Sequence, residues 1–361
     1  MVRLERRPQH SQLMVYLSPV IAVVLTLVSG LFIFAALGED PLVSLYTFFV
    51  LPISDLYGLT ELLVKATPLV LIGVGLALGF RANVWNIGAE GQLTLGAIFA
   101  GGLAIYFHES ESPLLLLPAM VIAGVIGGMA WAAIPAFFKT RFNANEILTS
   151  LMLTYIAILF LSYLVHGPWR DPEGYNFPES RLFPDAALLP LLTEDSRLHL
   201  GFVFALLVVA GGWLMLAKAL IGFQLRVVGL APQAARYVGF KQNRLIWFSL
   251  LLGGGLAGLA GMAEVSGPIG QLLPSVSPGY GFTAIIVAFL GRLHPLGVLF
   301  AGLIMALTYI GGETAQIELG LPAAVTGLFQ GILLFFLLGS DLLSTYRVRF
   351  GAAVTAKGGT S

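Results

Sequence analysis

The chain contains no cysteine. Disulfide bonds, thiolate catalysis, iron–sulfur clusters and cysteine-bound zinc are therefore excluded. The five histidines are scattered and never fall into a ligand spacing such as HExxH, so the sequence predicts no metal site. The glycine-rich run Gly253–Gly261 lacks the Gly-Lys-Ser/Thr ending of a phosphate-binding loop, and no other stretch of the sequence supplies one. We therefore expect no catalytic residues, no cofactor bound by this chain and no enzyme activity.

Charge is also scarce. Only 11% of the residues are charged, against about 25% in an ordinary soluble domain. Hydrophobic residues make up 57% of the sequence, and its mean hydropathy is +0.89. Such a chain cannot supply a polar surface around a core of this size, so we predict an all-α, polytopic membrane helix bundle. The net charge of zero gives no indication of a nucleic-acid partner.

Ten apolar segments are predicted to span the membrane. The first is longer than the roughly 7–15 apolar residues of a signal peptide, so we expect it to be retained. The eighth is the shortest and contains Pro278, Gly279 and Gly281, which disfavour a regular helix. The segments are Leu13–Leu37, Glu61–Phe80, Trp85–Phe107, Leu114–Phe138, Glu146–His166, Leu200–Ala219, Leu245–Val265, Val276–Gly291, Pro295–Gly312 and Leu321–Ser340.

The positions of Lys and Arg predict the orientation, because these residues are enriched in cytoplasmic loops. With the N-terminus inside and ten alternating spans, fifteen of the 19 Lys and Arg residues fall inside. The four outside are Lys65, Arg170, Arg181 and Arg197. Both termini are therefore predicted to be cytoplasmic, and the location is predicted to be a bacterial inner membrane.

The predicted spans divide the chain into a tail of residues 1–12, a transmembrane permease domain of residues 13–340 and a second tail of residues 341–361. Five spans followed by five are compatible with the inverted repeat found in many transporters. The outer connection, residues 167–199, is acidic and rich in proline. Its length is compatible either with a solvated linker or with a docking surface.

The inner connection, residues 221–244, mixes basic and apolar residues around Pro232. It could be an ordinary positively charged inner loop. Its regular apolar content favours a short amphipathic helix on the inner membrane face, presented to another protein. The polar cluster after the fourth span has a simpler explanation, since Asn145 or Asn143 can cap the helix that follows. Glu264 and Glu313 lie near outer helix ends, where we expect exposure.

The most informative polar run is Arg81–Gln92. Its Asn83, Trp85, Asn86, Glu90 and Gln92 are candidate pathway-lining residues, because polar side chains at membrane depth are costly against lipid. The glycines between them permit broken backbone, which is tolerated at that depth only against protein or a watery cavity. Interhelical hydrogen bonds that fix the bundle are an equally acceptable explanation.

These residues also resemble a known family. The runs Leu63–Leu69 and Phe80–Ala82, and above all Trp85–Gln92, resemble permease subunits of bacterial ABC importers. The nucleoside and simple-sugar branch of the branched-chain amino acid/ribose-type superfamily is the most similar. Further matching runs are Asn145–Ile147, Leu153–Ala157, Gly167–Pro172, Leu225–Gly229, Pro232–Gly239 and Ala257–Gly261. One departure is Leu230-Ala231, which stands where the family pattern has polar residues.

The resemblance implies one half of a translocation pathway for a nucleoside or simple sugar. It implies a similar or identical second permease, a cytoplasmic ABC ATPase that carries the ATP and Mg, and an extracytoplasmic substrate-binding protein. Docking of that protein is implied for Trp169, Arg170 and Asp171. Contact with the ATPase is implied for Leu225, Arg226, Gly229, Pro232, Ala234, Ala235, Arg236, Tyr237 and Gly239.

Two rival functions make different demands on the sequence. A gradient-driven secondary transporter of a small polar solute needs a coupling carboxylate near the middle of the membrane, and Glu90 is the suitable one. A membrane-embedded enzyme needs converging catalytic side chains within the bilayer, and the intramembrane residues of this sequence offer no such set.

Overall fold

The structure is a computed structural model that describes residues 2–6 and 12–350. The remaining parts of the two predicted tails lie outside the described residues. Within the described part, the chain forms thirteen α-helices and one pair of strands. The helices are α1 Gln12–Leu37, α2 Pro41–Phe49, α3 Leu56–Arg81, α4 Ala89–Tyr106, α5 Pro113–Phe142, α6 Glu146–His166, α7 Gly201–Lys218, α8 Leu220–Leu230, α9 Pro232–Tyr237, α10 Gln242–Glu264, α11 Tyr280–Leu290, α12 Pro295–Leu319 and α13 Ala324–Thr345. The strands are β1 Val2–Arg6 and β2 Tyr346–Phe350.

Among the described residues, seven helices are long and apolar enough to cross a membrane, namely α1, α3, α5, α6, α7, α10 and α12. The other three predicted spans are also helical but fall short of that standard. Helix α4 carries Glu90 and Gln92 in its first turn, which lowers its hydropathy. Helix α11 has 11 residues and is about 16 Å long, roughly half the hydrocarbon thickness of a bilayer. The apolar part of α13 is likewise short.

Several helices begin where the sequence provides a cap. The Asp55 side chain accepts a hydrogen bond from the Gly58 N–H at the start of α3. The Asn145 side chain accepts one from the Ile147 N–H at the start of α6, at 2.9 Å, as the sequence predicted. Asn143 instead ends α5 in the left-handed conformation, with φ 52°. The side chains of Asp55 and Asn145 thus satisfy backbone donors that the helix itself cannot pair.

The chain divides into two compact units, of which the larger comprises residues 51–311. Its core is built from α3, α4, α5 and α10, with α11 against α3 and α4. Small residues let these helices approach closely: a Cβ at Gly75 would lie 3.0 Å from the Gly253 Cα, and a Cβ at Gly96 would overlap Gly258. Such close backbone packing is typical of helices associating in lipid, where hydrophobic burial between helices contributes little.

The smaller unit comprises residues up to 50 and from 312 onward. Its core contains the rings of Phe34, Phe48 and Phe329, with the Phe48 and Phe329 centroids 4.7 Å apart. Strands β1 and β2 pair antiparallel, with Val2 opposite Phe350 and Arg6 opposite Tyr346. The two described ends of the chain are therefore neighbours.

Candidate functional site

The predicted polar run lies where the backbone leaves one helix and enters another. Helix α3 ends at Arg81, α4 begins at Ala89, and the residues between them are non-helical. Asn83 turns the chain with a φ of 56°, a conformation that Asn tolerates better than most residues. The break was predicted from the glycines, but the structure assigns the left-handed residue to Asn83.

Asn86 and Gln92 form a closed pair of amides. Asn86 Nδ2 donates to Gln92 Oε1 at 2.7 Å, and Gln92 Nε2 donates back to Asn86 Oδ1 at 3.0 Å. Asn86 Oδ1 also accepts the Gly88 N–H at 3.1 Å. Both side chains are buried, so this pair fixes the turn against the first turn of α4 and offers little to a solute in this conformation.

Glu90 lies at the N-terminus of α11, a helix far away in the sequence. Its Oε2 accepts the Gly281 N–H at 2.6 Å, and the Gly279 N–H and Ser277 hydroxyl also approach the carboxylate. Unpaired N–H groups and the helix dipole make such a terminus a favourable place for a negative charge. Glu90 is 4% exposed, so the carboxylate is satisfied by protein groups and not by water.

The partners of Glu90 could not be predicted from the sequence. The Ser277 Oγ accepts the Tyr280 N–H at 2.9 Å and so starts α11 locally, while Gly281 provides the room for α4. A Cβ at Gly281 would overlap the backbone of Glu90. Part of the local signal was present, since a Ser followed by Pro is typical of helix starts, but nothing in the sequence links it to residue 90.

Trp85 and Asn83 lie at the accessible edge of this cluster. The Trp85 ring is stacked with Phe289 and packs against Phe80, with centroid distances of 5.9 and 4.9 Å. Its Nε1–H donates to Asn83 Oδ1 at 2.9 Å. Asn83 is exposed and Trp85 partly exposed. Of the five predicted pathway residues, these two are the ones that are not buried.

One expectation about a carboxylate was wrong. Glu264 is 8% exposed and does not project into solvent, because α10 continues past it as a π-helical turn, Val265–Ile269, that keeps this end of the helix within the bundle. Among the described residues, no group of three or more His, Asp or Glu side chains is suited to hold a metal ion.

The inner connection folds into α8 and α9, as the amphipathic pattern predicted. Leu225, Val228 and Ala235 are buried against α10 and the start of the Ala82–Gly88 turn. A Cβ at Gly229 would overlap the Arg81 carbonyl, so α8 rests directly on the end of α3. The inner connection is thus packed against the same break in the chain that positions Asn86 and Glu90.

The opposite face of the inner connection is exposed and partly apolar. Leu230, Tyr237 and Val238 are 81%, 95% and 67% exposed. Arg236 Nε donates to Gln242 Oε1 at 2.9 Å and so braces α9. The nine residues predicted to contact the ATPase therefore fall into different groups. Leu225 and Ala235 are buried in the core. Arg226, Pro232, Ala234, Arg236, Tyr237 and Gly239 are exposed, and Gly229 is half-buried.

The outer connection is joined to the segment between α10 and α11, which consists of the π-helical turn Val265–Ile269 and the irregular chain after it. The N–H groups of Ser180, Phe183 and Leu189 donate to carbonyls of the segment Ser266–Leu272 at 2.7–3.0 Å. The Trp169 ring lies against α4, since a Cβ at Gly102 would come within 2.8 Å of it. The outer connection is therefore more than a solvated linker.

Polar side chains fix the two ends of the outer connection. Arg170 Nη1 donates to Asn176 Oδ1 at 2.6 Å, and Asp171 lies 3.8 Å from Arg181. Arg197 pairs with Glu61 through two hydrogen bonds of 3.0 and 2.5 Å. Burial lowers the pKa of His199 to about 4, so this imidazole is neutral at pH 7 and its Nδ1 accepts the Gly201 N–H.

Comparison with known proteins matches residues 58–338 to the family described as branched-chain amino acid transport system / permease component. A glucose ABC transporter permease protein of Haloferax volcanii is 38% identical, over 92% of this chain and 90% of its own length. A guanosine ABC transporter permease protein of Bacillus subtilis is 31% identical, over 92% and 94%. A nucleoside ABC transporter permease protein of Lactococcus lactis is 27% identical, over 89% and 90%.

Proposed function

We propose that the solute of this chain is a nucleoside or a simple sugar. The chain belongs to the permease family described as branched-chain amino acid transport system / permease component. It is a multi-pass membrane permease subunit and not an enzyme. The observation that carries the proposal is the near full-length similarity to permeases for glucose, guanosine and nucleosides. The sequence resemblance pointed to the same two solute classes.

We propose that the chain forms half of the pathway beside a similar or identical second permease. ATP and Mg bind to a separate cytoplasmic ATPase, and an extracytoplasmic binding protein delivers the solute. The exposed apolar residues Leu230, Tyr237 and Val238 support an ATPase contact, because large apolar side chains projecting from an inner connection are typical of protein interaction sites. Trp169, Arg170 and Asp171 remain the proposed contacts of the binding protein.

Ten spans with both termini cytoplasmic remain our proposal for the topology. Pairing of β1 with β2 supports an even number of crossings, because it keeps the two ends on one side of the membrane. The distribution of Lys and Arg favours the cytoplasmic side. We propose the cell membrane as the location, which fits a permease family and several apolar helices of spanning length.

The order of elements supports a five-plus-five repeat. In both halves a long helix is followed by short helical pieces, and a second long helix then ends in a non-helical segment. That segment follows α3 in the first half and the end of α10 in the second. A further helix starts after each break, α4 in one half and α11 in the other. Discontinuous helices in corresponding positions are the usual place of a transporter's binding site.

The Glu90 environment argues against the rival secondary transporter. A coupling carboxylate must exchange protons with water during transport, whereas Glu90 is 4% exposed and its Oε2 accepts the Gly281 N–H. We propose that Glu90 holds α4 and α11 together and that Asn83 and Trp85 lie nearest the solute.

Reconstituted vesicles provide the test. The permease is reconstituted with its cognate ATPase, second permease and binding protein, and uptake of labelled guanosine and glucose is measured. We expect uptake of one solute class that requires ATP. An ATPase lacking its P-loop lysine is the control and should give no uptake. Uptake by this chain alone, driven by a proton or sodium gradient, would refute the proposal.

A further inference from the structure

An apolar groove lies between three membrane helices of the larger unit. It has a volume of about 320 Å³, within the range of ordinary small-molecule sites. Helix α3 contributes Val74 and Leu78, α7 contributes Gly211 and Met215, and α10 contributes Leu252. The groove is open to the outside of the bundle, where lipid chains surround a membrane protein.

Cationic side chains continue two walls of the groove toward the inner face. Arg81 follows Leu78 by three residues on α3, and Lys218 follows Met215 by three residues on α7. Residues three apart lie on one face of a helix, so each cation extends the wall that its apolar neighbour begins. Arg226 on α8 is close enough to repel Arg81 electrostatically.

These cations lack the compensation that charged groups usually find. Arg81 Nε donates to the Leu293 carbonyl at 2.7 Å, which orients the guanidinium without neutralising it. In the part of the chain that the structure describes, none of Arg81, Lys218 and Arg226 forms an ion pair with a carboxylate. Like charges that extend two walls of an apolar groove favour an anion with an apolar tail.

We propose that this groove binds an anionic phospholipid of the inner leaflet, with an acyl chain between α3, α7 and α10 and the phosphate near Arg81 and Lys218. Basic pockets between helices on the cytoplasmic side are suited to anionic head groups, and each Lys or Arg near the surface adds about fivefold in affinity. The inference rests on the proposed orientation of the chain and is independent of ATP coupling. The bound lipid lies where α8 packs on the end of α3.

Two kinds of variant separate the apolar from the charged part of the site. Gly211→Leu places a side chain in the groove, and its Cβ meets nothing within 4 Å. Gly331→Leu on α13 is the matched control, since its Cβ is equally unobstructed. The double variant Arg81→Gln with Lys218→Gln removes the charges, and Arg141→Gln, an exposed cation at the end of α5, is its control.

Lipid binding to the purified full-length permease is measured by native mass spectrometry, with phosphatidylglycerol, phosphatidylcholine and sn-glycerol 3-phosphate as probes. We expect phosphatidylglycerol to bind at least fivefold more tightly than phosphatidylcholine. Gly211→Leu should weaken both lipids, whereas the double variant should remove the preference between them. The two controls should behave as the wild type, and glycerol 3-phosphate should not bind at the same concentrations.

Three results would overturn the proposal. They are equal affinity of the unaltered permease for the two lipids, equal binding by Gly211→Leu and Gly331→Leu, and saturation by glycerol 3-phosphate, which would identify a site for a free phosphate. The first comparison needs no variant and so does not depend on any substitution folding. Neither ATPase nor solute is present, so a failure of the transport proposal would leave these results unchanged.

Discussion

At the scale of single residues, burial changes the meaning of the polar run. Glu90, Asn86 and Gln92 are at most 4% exposed, and each one's polar atoms pair with other groups of the chain. A polar side chain that is both buried and paired contributes to the bundle more than to a solute. The interhelical explanation therefore fits these three residues, while a pathway role remains for Asn83 and Trp85.

Replacement of Glu90 should distinguish a structural carboxylate from a coupling carboxylate. Glu90→Ala removes the acceptor of the Gly281 N–H and should cost about 1–3 kcal/mol of stability, the usual penalty for an unpaired buried donor. Glu90→Gln keeps an acceptor oxygen and should lose less, on the order of 1 kcal/mol from the charge at the helix terminus. Thermal unfolding of the purified permease measures the order.

Glu111→Gln, an exposed carboxylate between α4 and α5, is the control and should leave unfolding unchanged. ATP-driven uptake by Glu90→Gln should fall only as far as its stability falls. Complete loss of uptake in a Glu90→Gln protein of normal stability would instead indicate that the carboxylate itself takes part in transport.

At the scale of elements, local patterns predicted the helices well and their partners poorly. The ten predicted spans all contain helices, because long apolar runs and caps such as Asn145 are local features. The bond between Glu90 and Gly281 joins residues 191 apart in the sequence, and no periodicity encodes it. The burial of Leu225 and Ala235 was not predicted for the same reason, since the pattern of an amphipathic helix does not show which protein surface covers its apolar side.

The inner connection yields a prediction about its exposed end. Leu230→Ser combined with Tyr237→Ser removes two large side chains that are 81% and 95% exposed in the free subunit. If they are central to the ATPase interface, co-purification of the ATPase should fall at least tenfold, as expected when anchoring side chains are removed. The amount of permease in the membrane should not change.

Leu220→Ser provides the control for this variant. It removes an exposed leucine, 68% accessible, from the opposite end of the same short helix α8. ATPase recovery should be normal with this control. Undiminished recovery with the double variant would show that the ATPase contacts another part of the inner face.

At the scale of the whole molecule, the topology depends on how the two discontinuous segments are counted. Helix α11 alone spans about half the bilayer, but the irregular chain before it, in which Leu272 and Val276 are buried, adds length. Non-helical backbone is tolerated at this depth only when it is buried in protein or lines a watery cavity. Hydrogen bonds between Ser180 and Leu272 hold the start of this segment against the outer connection.

The absence of native cysteine makes the topology directly testable with single introduced cysteines. Tyr175, Tyr237 and Ile317 are suitable sites, since they are 94%, 95% and 81% exposed. In intact cells a membrane-impermeant maleimide should label Tyr175→Cys and Ile317→Cys, and it should label Tyr237→Cys only after the membrane is disrupted.

Between Tyr237 and Ile317 the chain passes through α10, the irregular segment with α11, and α12. Three crossings place Ile317 outside, whereas a re-entrant α11 leaves two and places it inside. Labelling of Ile317→Cys from the outside would therefore confirm the eighth span. Protection of Ile317→Cys in intact cells would reduce the number of membrane crossings and place this end of α12 inside.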